Sequence, residues 1–175
     1  HLSEYLATLP QNLDHGLFDA ARHCSGTKLV PNPGLRGFRQ IPLNRQVMYA
    51  VALAESNHQR HQTVEDFLLN CDRNTIATEV HVYYQDRHLG LIAGHIDVLQ
   101  INYGKVHILD YKPNAAKENP GKVATQLTLY AIALAVRAGL RLHQIRCGYF
   151  DEYDVFLFEP RKPAREHIKA FLREG

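Results

Sequence analysis

The chain has 175 residues and a formal charge of +2 at pH 7, a length that suits one domain of roughly 100 to 200 residues. Apolar residues make up 45% of it, no run approaches the roughly 18 uninterrupted apolar residues of a membrane span, and the start lacks a signal-peptide pattern. The expectation is a soluble cytoplasmic protein without a membrane partner, and so small a charge neither marks nor excludes a nucleic-acid partner, whose footprint is a clearly basic face.

The chain starts at His1 rather than Met and enters directly into an amphipathic stretch, Leu2, Tyr5, Leu6 and Leu9, which suggests a domain cut from a longer protein. Residues 1–43 read as an N-terminal extension: two short helical candidates, then Pro31, Pro33, Gly34, Gly37 and Pro42, whose backbones argue for an irregular connection. Residues 44–175 read as the globular core. From Asn44, a plausible N-cap, to about Leu69, apolar residues recur at helical spacing and predict one long helix whose middle is polar on every face.

Three strand-like runs follow, Ile76 to Gln85, Leu91 to Ile101 and Lys105 to Tyr111, rich in Val, Ile and Tyr. Short turns, one of them Asn102-Tyr103-Gly104, predict an antiparallel meander. Pro113 to Gly121 is a polar loop, and Lys122 to Ala138 a strongly apolar helix stopped by Gly139. Two further strands, His143 to Tyr149 and Val155 to Phe158, and a closing helix from Pro163 to Arg173 complete the chain.

Three cysteines, Cys24, Cys71 and Cys147, lie far apart without a CxxC pair, so neither a disulfide framework nor a four-thiolate site is indicated and buried free thiols are expected. Most of the 11 histidines are scattered without a shared ligand spacing.

The chemistry is concentrated in Gly94-His95-Ile96-Asp97, Ile108-Leu109-Asp110-Tyr111-Lys112 and Gln126-Leu127-Thr128-Leu129-Tyr130. Alternation along a strand turns Asp110 and Lys112 to one face. Pairing of the two strands brings Asp97 beside Asp110, and like charges that close need a cation. Oxygen ligands favour a hard ion such as Mg²⁺, which uses one or two carboxylates plus substrate phosphate oxygens. Lys112 adds a mobile cation able to hold an attacking water or stabilise charge on phosphoryl oxygens.

G-x-I-D, then D-x-K thirteen residues on (110 minus 97), then Q-L-x-L-Y on the next helix, resembles the RecB-like branch of the PD-(D/E)XK nucleases over roughly His58 to Tyr130. The resemblance implies an α/β, restriction-endonuclease-like α-β-β-β-α-β core with a mixed central sheet flanked by helices. It implies a deoxyribonuclease, of exonuclease or end-processing type, that uses Mg²⁺ or Mn²⁺. By the same resemblance Asp97, Asp110 and the Tyr111 carbonyl hold the metal, Lys112 is catalytic, and Gln126 and Tyr130, one helical turn apart, support the lysine or contact DNA.

The family also places a histidine on the preceding helix. His61, followed by Val64-Glu65, fits the motif better than His58, which sits one turn earlier on the same face. Glu55 and Glu65 are read as either solvated or directed at the site. Glu79, in the first strand of the meander, is a candidate supporting or second-metal ligand, and Lys117 and Lys122 are candidate contacts to DNA phosphates. Some relatives carry an iron–sulfur cluster on four cysteines; none is expected here. The alternative is a catalytically inactive DNA-binding or structural module of a larger helicase–nuclease assembly, against which the intact Asp97, Asp110 and Lys112 speak.

Overall fold

The computed structural model describes residues 1–9, 29–30, 32–87, 90–164, 166 and 168. Its elements in chain order are α1 Leu2–Thr8, β1 Arg36–Arg39, α2 Pro42–Leu53, α3 Arg60–Cys71, β2 Thr75–Asp86, β3 Gly90–Asn102, β4 Lys105–Tyr111, α4 Pro120–Ala138, β5 Ile145–Phe150 and β6 Asp154–Phe158. The strands form one six-stranded sheet in the order β1-β6-β5-β4-β3-β2. The predicted meander is present, with β2 antiparallel to β3 and β3 to β4. At the second turn Tyr103 and Gly104 both take positive φ, 49° and 71°, the backbone of a type I′ hairpin that fixes the register of everything downstream. β4 and β5 are parallel, which requires the long crossover that α4 supplies. The architecture is the expected restriction-endonuclease-like mixed sheet with helices on both sides.

α4 buries almost its whole circumference, including Val123, Ala124, Leu127, Ala131 and Leu134, against Val80, Val82, Ile96, Leu99 and Ile108. Asn119 caps its start by accepting from the Lys122 N–H at 3.1 Å, and Gly139 ends it at φ 64°. On the other face Val47, Ala50, Val64 and Leu68 of α2 and α3 pack on Val98, Leu109, Tyr111 and Phe150. Each fully buried Val, Leu or Ile side chain among them contributes about 1.5–3 kcal/mol relative to exposure.

Four readings change. The single helix expected from Asn44 to Leu69 is two, because residues 55–59 offer no apolar side chain to bury; there the Ser56 hydroxyl bonds the Gln59 side chain at 3.3 Å and the chain turns. Asn44 is not the N-cap but lies inside α2, buried, its amide donating to the Asp151 carbonyl at 3.1 Å. Residues 36–39, read as irregular, pair with β6. Cys71 is exposed while Cys147 is buried, and Cys24 lies outside the described residues. So does the second helical candidate of the extension. Of the closing helix, the bond from the Ile168 N–H to the Ala164 carbonyl, 3.1 Å, falls among the described residues. No helix among those residues is long and apolar enough to cross a membrane.

Candidate metal centre

Register assembles the site. One step beyond the pair Val98↔Leu109, Asp97 of β3 faces Asp110 of β4, and between Thr78↔Val98 and Val80↔Ile96, Glu79 of β2 faces Asp97. Three carboxylates thus stand in a row across three strands. Regular alternation fails at this row. Ala77 and Val80, three residues apart, both pack on the α4 side, as do Ile96 and Leu99, whereas Val98 packs on the α2–α3 side. Glu79 has φ 50°, a conformation that costs a non-glycine residue on the order of 1 kcal/mol or more and collects at functional sites.

α3 brings two more groups from one turn of helix. The His61 Nε2 lies 2.9 Å from Glu65 Oε1 and 3.2 Å from Asp97 Oδ2. Ligand atoms of His61, Glu65, Glu79 and Asp97 all lie within 4.8 Å of one another. Hydrogen bonding to the Asp97 and Glu65 carboxylates pushes the imidazole up to about 10, so without a metal it is an imidazolium. Glu65 is 1% exposed; burial drives its carboxyl up to about 7, opposed by His61 and reinforced by Glu79.

The facing aspartates shift in opposite directions. Burial and the charge of Asp97 raise Asp110 well above the carboxylate range. Burial also acts to raise Asp97, but hydrogen bonds from His61 and Asp110 and the Tyr111 N–H, 2.9 Å from Oδ2, bring it below its ordinary value. Lys112 Nζ lies 2.9 Å from Asp110 Oδ2; the pull of Asp110 outweighs burial and keeps the ammonium charged.

These residues fit a divalent cation. The Oε2 of Glu65 is buried without a hydrogen-bond partner among the described residues, a costly state that a cation relieves. Carboxylates with one imidazole are the donor set of Mg²⁺ or Mn²⁺ rather than of a thiolate metal.

Glu65, read from the sequence as either solvated or directed at the site, stands with His61, Glu79 and Asp97; the signal that could have decided it was the i, i+4 spacing from His61. The other candidates separate cleanly. His58 is exposed in the turn just before α3 and not on the helix that carries His61. Gln126 Nε2 donates to the Tyr130 hydroxyl at 3.1 Å, and Tyr130 is raised by burial and by the charges of Asp110 and Asp97, so this pair faces the aspartates. Gly94 of the G-x-I-D string provides the seat, since a Cβ there would overlap the Tyr130 ring. Lys117 and Lys122 are exposed. Asp151 anchors the segment after Lys112 by accepting from the Ala115 N–H at 2.7 Å and the Tyr153 and Asp154 N–H groups at 2.8 and 2.7 Å.

His61→Ala is expected to weaken Mn²⁺ binding at least about tenfold by isothermal titration, and His58→Ala to leave it unchanged.

No curated protein sequence matches the chain. The family model of the PD-(D/E)XK nuclease superfamily matches residues 33–172, a span that takes in all six strands, α2 to α4 and every residue of the acidic row. The chain belongs to the PD-(D/E)XK nuclease superfamily.

Proposed function

We propose that this domain is a metal-dependent deoxyribonuclease of the RecB-like branch, an exonuclease or end-processing enzyme that hydrolyses DNA phosphodiester bonds and leaves 5′-phosphate ends. The observation that carries the reading is the facing pair Asp97 and Asp110 with the Lys112 ammonium 2.9 Å from Asp110. Asp97, Asp110, the Tyr111 carbonyl, His61, Glu65 and Glu79 would hold Mg²⁺ or Mn²⁺, and the ion, when bound, supplies Lewis acidity toward a phosphodiester oxygen.

Lys112 does the rest of the electrostatic work. Its Nζ holds the attacking water in line with the phosphorus and neutralises charge that develops on the phosphoryl oxygens. Gln126 and Tyr130 restrict where that ammonium can go, because Tyr130 is wedged over Gly94. Lys117 and Lys122, exposed beyond the site, contact backbone phosphates and fix strand register without reading sequence.

The test is to incubate purified protein with labelled linear single-stranded, linear duplex and circular DNA in Mg²⁺, Mn²⁺ or EDTA, beside Lys112→Ala. Expected is metal-dependent degradation of linear DNA, slowed about a hundredfold or more by the substitution. Cleavage in EDTA, or cleavage indifferent to Lys112→Ala, sinks the mechanism; binding without cleavage identifies a non-catalytic module instead.

A further inference from the structure

Toward the other end of the sheet from Lys112, two cavities share Phe38, Arg146 and Leu157 as a common wall. Arg146 pairs with His107 in the β4–β5 register, three residues before Asp110, so this wall lies about 10 Å along the strands from the acidic row. The Val98, Leu109 and Tyr111 layer separates the two.

The cavities differ in chemistry. One, about 250 Å³, is lined by Arg36, Arg146 and Arg161 against a single carboxylate, Glu159. Glu159 accepts from Lys105 at 3.1 Å and Arg146 at 3.5 Å, which holds the Arg146 head in the wall without cancelling the arginine charge. The other, about 460 Å³, has apolar walls of Leu109, Val155 and Leu157 and polar groups from Asn74, Gln100 and His107. His107 is 5% exposed and its Nε2 has no hydrogen-bond partner among the described residues. Burial, then Arg146 and Lys105, pull its imidazole down to about 4, so it is neutral at physiological pH and offers both a donor and an acceptor.

Guanidinium groups match the geometry of phosphate oxygens. A half-exposed phenylalanine and an apolar slot accept a flat ring by stacking, and sites for small ligands span roughly 300 to 1,000 Å³. We propose that this double cavity is a nucleotide site separate from the metal centre, with phosphate on Arg36, Arg146 and Arg161 and the base inserted past Phe38 toward His107. The ligand chemistry, a phosphate beside a planar heterocycle, is shared by a free mononucleotide and by one unit of a nucleic-acid strand. The inference does not depend on the nuclease reading, because binding is read without metal and without cleavage.

The full chain in EDTA is titrated with deoxyadenosine 5′-monophosphate, deoxyadenosine, inorganic phosphate and a 5′-phosphorylated single-stranded hexanucleotide, beside Arg161→Ala and Phe38→Ala. Both replaced side chains are exposed, so the fold is retained, and unchanged Mn²⁺ binding at the acidic row checks this. Expected is binding of the mononucleotide or the hexanucleotide weakened about tenfold by each substitution. A preference for the mononucleotide assigns a free nucleotide, and a preference for the hexanucleotide assigns a strand. Absence of binding by both, indifference to both substitutions, or inorganic phosphate binding as tightly as the nucleotide overturns the proposal.

Discussion

Replacing Asp110 by asparagine is expected to lower cleavage at least about a thousandfold while leaving the metal-free protein as stable as the parent, or more so, with an advantage that grows with pH. The activity loss follows from removing half of the facing pair and the partner of Lys112. The stability gain follows from burial and Asp97, which hold the Asp110 carboxyl above its ordinary value. Between the ordinary carboxylate range and that raised value the unfolded chain has released its proton while the native protein keeps it. The native state then binds more protons, and its stability falls as pH rises. Asparagine is neutral throughout and removes this contribution. The opposing effect, loss of the Lys112–Asp110 pair, is limited because the Lys112 side chain is 27% exposed and keeps Asp97 as a second opposite charge. Melting temperatures in EDTA at several pH values beside a cleavage assay check both parts; near-parental cleavage, or a large loss of stability at every pH, contradicts the assignment.

Glu65 and His61 have the same sign. Glu65 is raised to about 7 and His61 to about 10, so each, like Asp110, binds more protons folded than unfolded; Asp97 alone is held down. The metal-free site is therefore a cluster of carboxylates kept together by protons. A divalent cation bound there would replace those protons and release them, and the metal-free site depends on low pH for its cohesion.

The pairing of Asp97 with Asp110 was legible in the sequence because it rests on local rules: β-rich runs and a glycine turn that sets register. Gln126 and Tyr130 were legible for a similar reason, since i, i+4 spacing on an apolar helix leaves one polar edge. Glu65 was not. Its helix reads as polar on many faces, and a buried carboxylate makes sense only once His61, Glu79 and Asp97 converge on it from elements that the sequence does not place in space. The kink at Glu79 was hidden likewise, because positive φ at a glutamate has no compositional cue and is imposed by packing on both sides of the sheet. Splitting the long helix at residues 54–59 and pairing β1 with β6 are further cases in which tertiary contacts overrode a local pattern.

The glycine of the G-x-I-D string yields the other large effect. Gly94→Ala is expected to destabilise the protein by about 1–3 kcal/mol, the usual cost of overpacking, and to reduce cleavage further than stability alone accounts for. A Cβ at residue 94 would lie 2.2 Å from the Tyr130 Cε1, far inside van der Waals contact, and Tyr130 is mostly buried, bonded to Gln126 and within reach of the aspartate charges. Its ring must move, and Gln126 with it, so the wall beside Lys112 opens even in molecules that remain folded. Tyr130→Leu removes the clash at its source. The double substitution should recover most of the stability lost in Gly94→Ala, giving a coupling energy of at least about 1 kcal/mol in a double-mutant cycle, yet remain poorly active because the tyrosine wall is gone. Measuring denaturant midpoints and cleavage rates for the four proteins separates the two roles. Additive stabilities would show that Tyr130 does not rest on Gly94, and full activity in the double mutant would show that Tyr130 serves packing alone.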